Sequence, residues 1–95
     1  MRMTSEQADF LKKEVLAVAQ DAKVYLFGSR VDDGKRGGDI DIMVLSDQRL
    51  TWKERATIRW HYCEKFGEQK LDIVFSPFNE RNAFKEIVMH QGIQL

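Results

Sequence analysis

Three aspartates and a Gly-Ser pair are the residues of this 95-residue chain whose types and spacing could do chemistry. Gly28 and Ser29 directly follow an apolar run. Asp39 and Asp41 come next, two residues apart, and Asp72 lies inside another apolar run. Acids on buried strands are costly unless positive charge meets them. A turn that can offer backbone N–H groups to phosphates, beside acids that can hold a metal, predicts nucleoside triphosphate chemistry.

The three carboxylates are expected to share one face of a sheet. Side chains alternate along a strand, so Asp39 and Asp41 leave the face opposite to Ile40 and its apolar neighbours. Asp72 has the same relation to the apolar residues beside it. If the two strands are neighbours, the three acids converge, and their repulsion raises the pKa of at least one. Oxygen ligands without clustered Cys or His favour Mg²⁺ or Mn²⁺, and two such ions can clamp a phosphoryl displacement.

Each of these features also has a simpler explanation. An Asp-x-Asp pair is often a solvated strand edge, and a Gly-Ser pair after a strand is often only a turn. Their conjunction in a consistent order favours a site. Ser29 could then donate a hydrogen bond to a triphosphate, and Arg30 could supply a counter-charge.

The elements that position these residues are predicted from periodicity and capping signals in the order helix, strand, loop, strand, helix, strand, helix. Such an order predicts an α/β (α+β) fold, a small mixed sheet with helices packed on one face, as a single domain over residues 1–95. The predicted ranges are helix 5–20, strand 24–27, loop 31–38, strand 39–45, a helix from Thr51 to Gly67, strand 70–75 and a last helix capped by Asn79 and ending near Gly92.

Helical spacing also predicts which aromatic side chains enter the core. Trp52 and Trp60 fall on one stripe of the middle helix, which favours core packing over a partner surface. In the last helix Phe84, Ile87 and Val88 are predicted to turn inward.

Composition narrows the class of protein. Fifteen Lys and Arg balance fifteen Asp and Glu, which argues against strong sequence-independent nucleic-acid binding. The single cysteine excludes an intramolecular disulfide and a Cys-based zinc cluster. The first residues lack the apolar core of a signal peptide, and no apolar run reaches the length of a membrane span. We therefore expect a cytoplasmic protein that does not enter a membrane.

The combined motif resembles the nucleotidyltransferase superfamily related to DNA polymerase β, whose signature is Gly-Ser, a spacer of about ten residues and Asp-x-Asp. Here these elements are Gly28-Ser29 and Asp39-Ile-Asp41, with Asp72 matching the third acid. The similarity covers about residues 24–75, and the short chain particularly resembles the minimal nucleotidyltransferases (MNT). The palm fold of that superfamily is the implied fold.

The resemblance also implies roles for single residues. Asp39 and Asp41 would bind both metal ions, and Asp72 would complete the metal and catalytic site by positioning the attacking hydroxyl. Gly28, Ser29 and Arg30 would bind the nucleotide. The departure from the family pattern is the segment 32–38, where Gly38 occupies the place of a serine before the first acid.

The implied activity is transfer of a nucleoside monophosphate, AMP from ATP, to a hydroxyl with release of pyrophosphate, with Mg²⁺ or Mn²⁺ as cofactor. The short chain without a basic surplus favours a protein hydroxyl over a nucleic-acid end. Minimal members resemble antitoxins paired with helical HEPN ribonuclease toxins, and some modify a toxin tyrosine with AMP. A HEPN toxin is therefore the expected partner.

Two alternatives stay open at this point. The chain could be a non-catalytic antitoxin that masks a HEPN toxin, or a small-molecule nucleotidyltransferase of the aminoglycoside type. The second would need an acceptor pocket completed by a dimer or another subunit. The sequence leaves the base preference, the acceptor and homo-oligomerisation undetermined.

Overall fold

The computed structural model describes residues 3–28 and 39–95, which form three helices and four strands around a mixed sheet. The predicted mixed α/β fold is confirmed, and a short fourth strand follows the last helix. The elements are α1 (Ser5–Val18), β1 (Lys23–Phe27), β2 (Ile40–Leu45), α2 (Trp52–Phe66), β3 (Leu71–Ser76), α3 (Ala83–Gln91) and β4 (Ile93–Gln94).

The sheet has the strand order β3-β2-β1-β4. β1 runs antiparallel to both β2 and β4, whereas β2 and β3 are parallel. Parallel neighbours need a crossover connection, which α2 provides. The two acid-bearing strands are therefore neighbours, which is the condition under which the sequence predicts that the acids converge.

The two long helices begin where their capping boxes predict. The Thr4 side chain accepts from the Gln7 N–H, and the Gln7 side chain accepts from the Thr4 N–H. Thr51 and Glu54 make the same reciprocal pair at the start of α2. Such caps each contribute about 1 kcal/mol because they satisfy N–H groups that have no partner within the helix.

The main core lies between the sheet and the pair α1 and α2. Leu11 and Val15 of α1 are buried there, with Ala8 and Val18 packed at its edge, as their spacing predicts. The remaining buried members of this cluster are Met3, Val24, Leu26, Ile40, Ile42, Val44, Leu50, Ile58, Tyr62, Leu71 and Ile73. None of the helices in the described ranges is long and apolar enough to cross a membrane.

The buried stripe of α2 differs from the predicted one. Ile58 and Tyr62 face the core, whereas Trp52 and Trp60 are 66% and 60% exposed. Trp60 is two residues from both Ile58 and Tyr62, which places it about 200° around the helix from each. The prediction that the tryptophans pack in the core is therefore wrong.

The last helix begins later than predicted. Asn82, not Asn79, is its cap, and the Asn82 side chain accepts from the Lys85 N–H at 2.8 Å. The Lys85 ammonium donates to the carbonyl oxygens of Pro77, Phe78 and Glu80. These contacts hold residues 77–80 in a turn, so Asn79 does not begin a helix.

α3 also packs on the other face of the sheet, so the prediction of helices on one face holds only for α1 and α2. Val88 of α3 is buried against Tyr25, Met43 and Leu45. Met43 and Leu45 make β2 apolar on this face as well as on the face of the main core. A second apolar face must be buried against another element. Of the three α3 residues predicted to turn inward, only Val88 is buried.

Candidate active site

A row of three side chains crosses the sheet with Asp41 at its centre. Phe27 lies opposite Asp41 in the β1–β2 register, and Asp72 lies opposite it in the β2–β3 register. Directly opposed residues share a face of the sheet. Asp41 and Asp72 are therefore side by side on one face, about 4.8 Å apart along the sheet, as the sequence predicts.

Asp39 stands at the entrance to this row, immediately before β2. Its side chain is 54% exposed, and its Oδ2 lies 3.8 Å from the Lys70 Nζ. Lys70 is two residues before Asp72, so extended backbone directs both side chains toward the same face. Lys70 is not among the residues predicted for the site, although its spacing of two residues from Asp72 indicates the shared face.

Among the three acids, Asp41 has a raised carboxyl pKa. Burial raises the pKa of the Asp41 carboxyl, the negative charges of Asp72 and Asp39 raise it further, and Lys70 partly opposes them. This agrees with the expectation that crowded acids raise the pKa of at least one member. A cation bound at this face would relieve the repulsion.

Gly28 brings the end of β1 against Asp41. Its φ is +78°, a conformation that side chains of L-residues rarely adopt, and a Cβ placed there would lie 2.6 Å from the Asp41 Oδ2. Glycine therefore allows the backbone to pass close to the acid. Ser29 and Arg30, the other predicted nucleotide-binding residues, and the segment 31–38 lie outside the described residues.

The donor chemistry of the three acids fits a hard divalent cation. Asp41 and Asp72 are neighbours in the register, and Asp39 immediately precedes β2. In the arrangement seen for residues 3–28 and 39–95, no three Asp, Glu, His or Cys side chains form a group that could hold a metal ion. Binding of Mg²⁺ or Mn²⁺ by Asp39, Asp41 and Asp72 stays a prediction.

Two of the solved structures with a similar fold are toxin–antitoxin complexes. A chain of the complex between a tri-AMPylated HEPN toxin and the MNT antitoxin of Shewanella oneidensis superposes with a TM-score of 0.68 at 22% identity, covering 97% of this chain and 71% of that one. A mutant MntA–HpeT toxin–antitoxin complex gives 0.69 at 20% identity, covering 92% and 70%. A further structure from Shewanella oneidensis gives 0.67 at 18% identity, covering 98% and 71%.

Sequence comparison is independent of these superpositions. A comparison with curated proteins gives no significant match. The family model described as polymerase beta, nucleotidyltransferase, matches residues 9–95. That match includes Gly28 and all three acids. The chain thus belongs to the polymerase β nucleotidyltransferase family, and its structural neighbours are MNT antitoxins.

Proposed function

We propose that this protein is a Mg²⁺-dependent nucleotidyltransferase that moves AMP from ATP to a hydroxyl of a protein partner. The partner is a HEPN-type toxin, and the modification neutralises it. The observation that carries this proposal is the pairing of Asp41 with Asp72 on one face of the sheet, with Gly28 against Asp41. The neighbouring complex of a tri-AMPylated HEPN toxin with its MNT antitoxin supports the choice of nucleotide and partner.

The three acids have different roles in the proposed reaction. Asp39 and Asp41 would hold the metal, which would supply positive charge to the phosphates. Asp72 accepts a hydrogen bond from the acceptor hydroxyl and orients its oxygen. That oxygen attacks the α-phosphorus, the bond from the α-phosphorus to the bridging oxygen breaks, and pyrophosphate leaves. The hydroxyl proton passes to the Asp72 carboxylate or to solvent.

The surroundings of the acids suit a macromolecular acceptor. Asp72 is exposed, as is Val74 two residues further on the same face of β3. α3 contacts β1, at the other side of this face. An acceptor side chain on a second protein can therefore approach Asp72 over the β3 side of the sheet.

Reconstitution tests the proposal. The purified protein is incubated with ATP, Mg²⁺ and a HEPN-type protein encoded by the neighbouring reading frame, and the partner is analysed by mass spectrometry. We expect an AMP adduct on a hydroxyl side chain. Asp41→Asn should abolish the adduct, whereas Asp9→Asn, the same change at an exposed position of α1, should leave it unchanged.

A second candidate function is neutralisation by masking alone. The exposure of Trp52 and Trp60 on α2 favours it, because tryptophan is enriched at the energetic centres of protein interfaces. The two accounts differ in one measurement. Full neutralisation of the toxin by Asp39→Asn or Asp41→Asn, without any adduct, would replace the catalytic account of antitoxicity by the masking one.

A further inference from the structure

An exposed aromatic pair adjoins the acids on the same face of the sheet. Phe84 of α3 is 46% exposed. Its ring packs edge-on against the half-buried ring of Phe27, with 5.4 Å between centroids and 84° between planes. Such a pair fixes the orientation of the outer ring while leaving much of its surface in water.

The place of this pair in the sheet connects it to the acids. Phe27 is opposite Asp41 in the register, and Asp41 is opposite Asp72. Gly28, whose backbone passes against Asp41, directly follows Phe27. The aromatic pair therefore forms the β1 end of the row whose other two members are acids.

We propose that the Phe27–Phe84 pair is the platform on which the nucleobase of the nucleoside triphosphate stacks. This inference rests on the proposed function, because it takes the triphosphate to lie at Gly28 and the acids. Phe27 is one strand spacing, about 4.8 Å, from Asp41. The ribose links the base to the phosphates, so the base lies close to the triphosphate. A base on the β1 side of Asp41 would therefore contact the aromatic pair.

The chemistry of the platform sets its selectivity. Phenyl rings offer stacking surface and no hydrogen-bonding groups, so they bind bases by area and tolerate different ring substituents. The platform therefore favours ATP and GTP over CTP and UTP, and it contributes little to the choice between the two purines.

Other exposed apolar residues of α3 provide the matched control. Ile87 is 54% exposed and lies three residues from Phe84 on the same helix. Its side chain has no aromatic ring on which a base could stack. Replacing either residue removes exposed apolar surface from α3, but only Phe84→Ala removes the outer ring of the platform.

The test is a binding measurement without acceptor protein. Wild type, Phe84→Ala, Phe84→Leu and Ile87→Ala are titrated calorimetrically with ATP and, separately, with inorganic tripolyphosphate, both with Mg²⁺. We expect Phe84→Ala to weaken ATP binding about tenfold, in line with the loss of one stacked base. Binding of tripolyphosphate should be unchanged. Phe84→Leu keeps an apolar contact with Phe27 but should also weaken ATP binding, and Ile87→Ala should retain wild-type affinity.

Two results would overturn the platform. They are unchanged ATP affinity in both Phe84 variants, which would leave the exposed ring to a partner protein, or a loss of tripolyphosphate affinity equal to the loss of ATP affinity. This binding measurement is separate from the transfer assay. If the wild type transferred no AMP, the proposed function would be refuted, but an ATP affinity that depends on Phe84 would still support the platform.

Discussion

Asp41→Asn should abolish transfer and yet make the metal-free protein more stable. The substitution nearly preserves the shape of the side chain and removes its charge. In the wild type, burial and the charges of Asp72 and Asp39 all raise the pKa of the Asp41 carboxyl, so its ionised form is disfavoured in the fold. A neutral amide at this position avoids those costs.

The magnitude follows from the sheet geometry. Asp41 and Asp72 are one strand spacing apart, where two unit charges in water repel by about 0.9 kcal/mol, and salt at 0.1 M reduces this further. Asp39 adds to the repulsion, and the lost attraction to Lys70 offsets part of the gain. We expect a net increase of about 0.5 kcal/mol in the free energy of unfolding, or roughly 2–4 °C in Tm for a domain of this size.

The pH dependence has a definite sign. The pKa of the Asp41 carboxyl in the folded state is raised above its usual value of 3.8, so the folded state binds the proton more tightly than the unfolded state. Stability from this group is therefore present below pH 3.8 and is lost as the pH rises through the folded pKa. The advantage of Asp41→Asn should be absent below pH 3.8 and complete above the folded pKa.

The assay is urea denaturation followed by far-UV circular dichroism, since the exposed Trp52 and Trp60 make fluorescence a poor reporter of unfolding. Wild type, Asp41→Asn and the control Asp9→Asn are compared in EDTA and then with saturating Mg²⁺. Mg²⁺ should stabilise wild type and the control by mass action, and it should stabilise Asp41→Asn less. If Asp41→Asn were less stable than wild type in EDTA at pH 7, or equally stabilised at pH 3, the electrostatic reasoning would be wrong.

Two further substitutions test how the site is built. Gly28→Ala forces an alanine into a positive φ and places its Cβ against the Asp41 carboxylate, so we expect a loss of about 1–2 kcal/mol in urea denaturation, and wild-type stability would contradict the close approach of β1 to the acid. Lys85→Met removes the ammonium that donates to three carbonyl oxygens of the turn before α3, so we expect a loss of about 2 kcal/mol, and a change below a few tenths would show that these contacts do not hold the turn.

Local patterns predicted the site better than they predicted the surface. The alternation of acids and apolar residues fixed the face of Asp41 and Asp72, because a strand has a period of two and a shift of one residue would bury a carboxylate. The capping boxes at Thr4 and Thr51 fixed the starts of two helices because their hydrogen bonds are local. These features need no knowledge of distant contacts.

The features that were missed depend on tertiary packing. Helical spacing places Trp60 on one stripe with Trp52 and so predicts it in the core, but the core contact of α2 follows Ile58 and Tyr62 instead. The predicted position of α3, on the same face as the other helices, is wrong. Met43 and Leu45 are apolar on the second face of β2, which indicates that a further element packs there. Strand β4 has two residues, which is too short for any periodicity to be recognised.

The most direct test of the central claim is to follow the label from ATP to the partner. With Mg²⁺ and a HEPN-type protein as the proposed partner, ATP labelled in the α-phosphate should label the partner, and ATP labelled in the γ-phosphate should not. The label should be lost with Asp41→Asn and retained with Asp9→Asn. Label from the γ-phosphate, no label on the partner, or full labelling by Asp41→Asn would contradict nucleotidyl transfer at this row of acids.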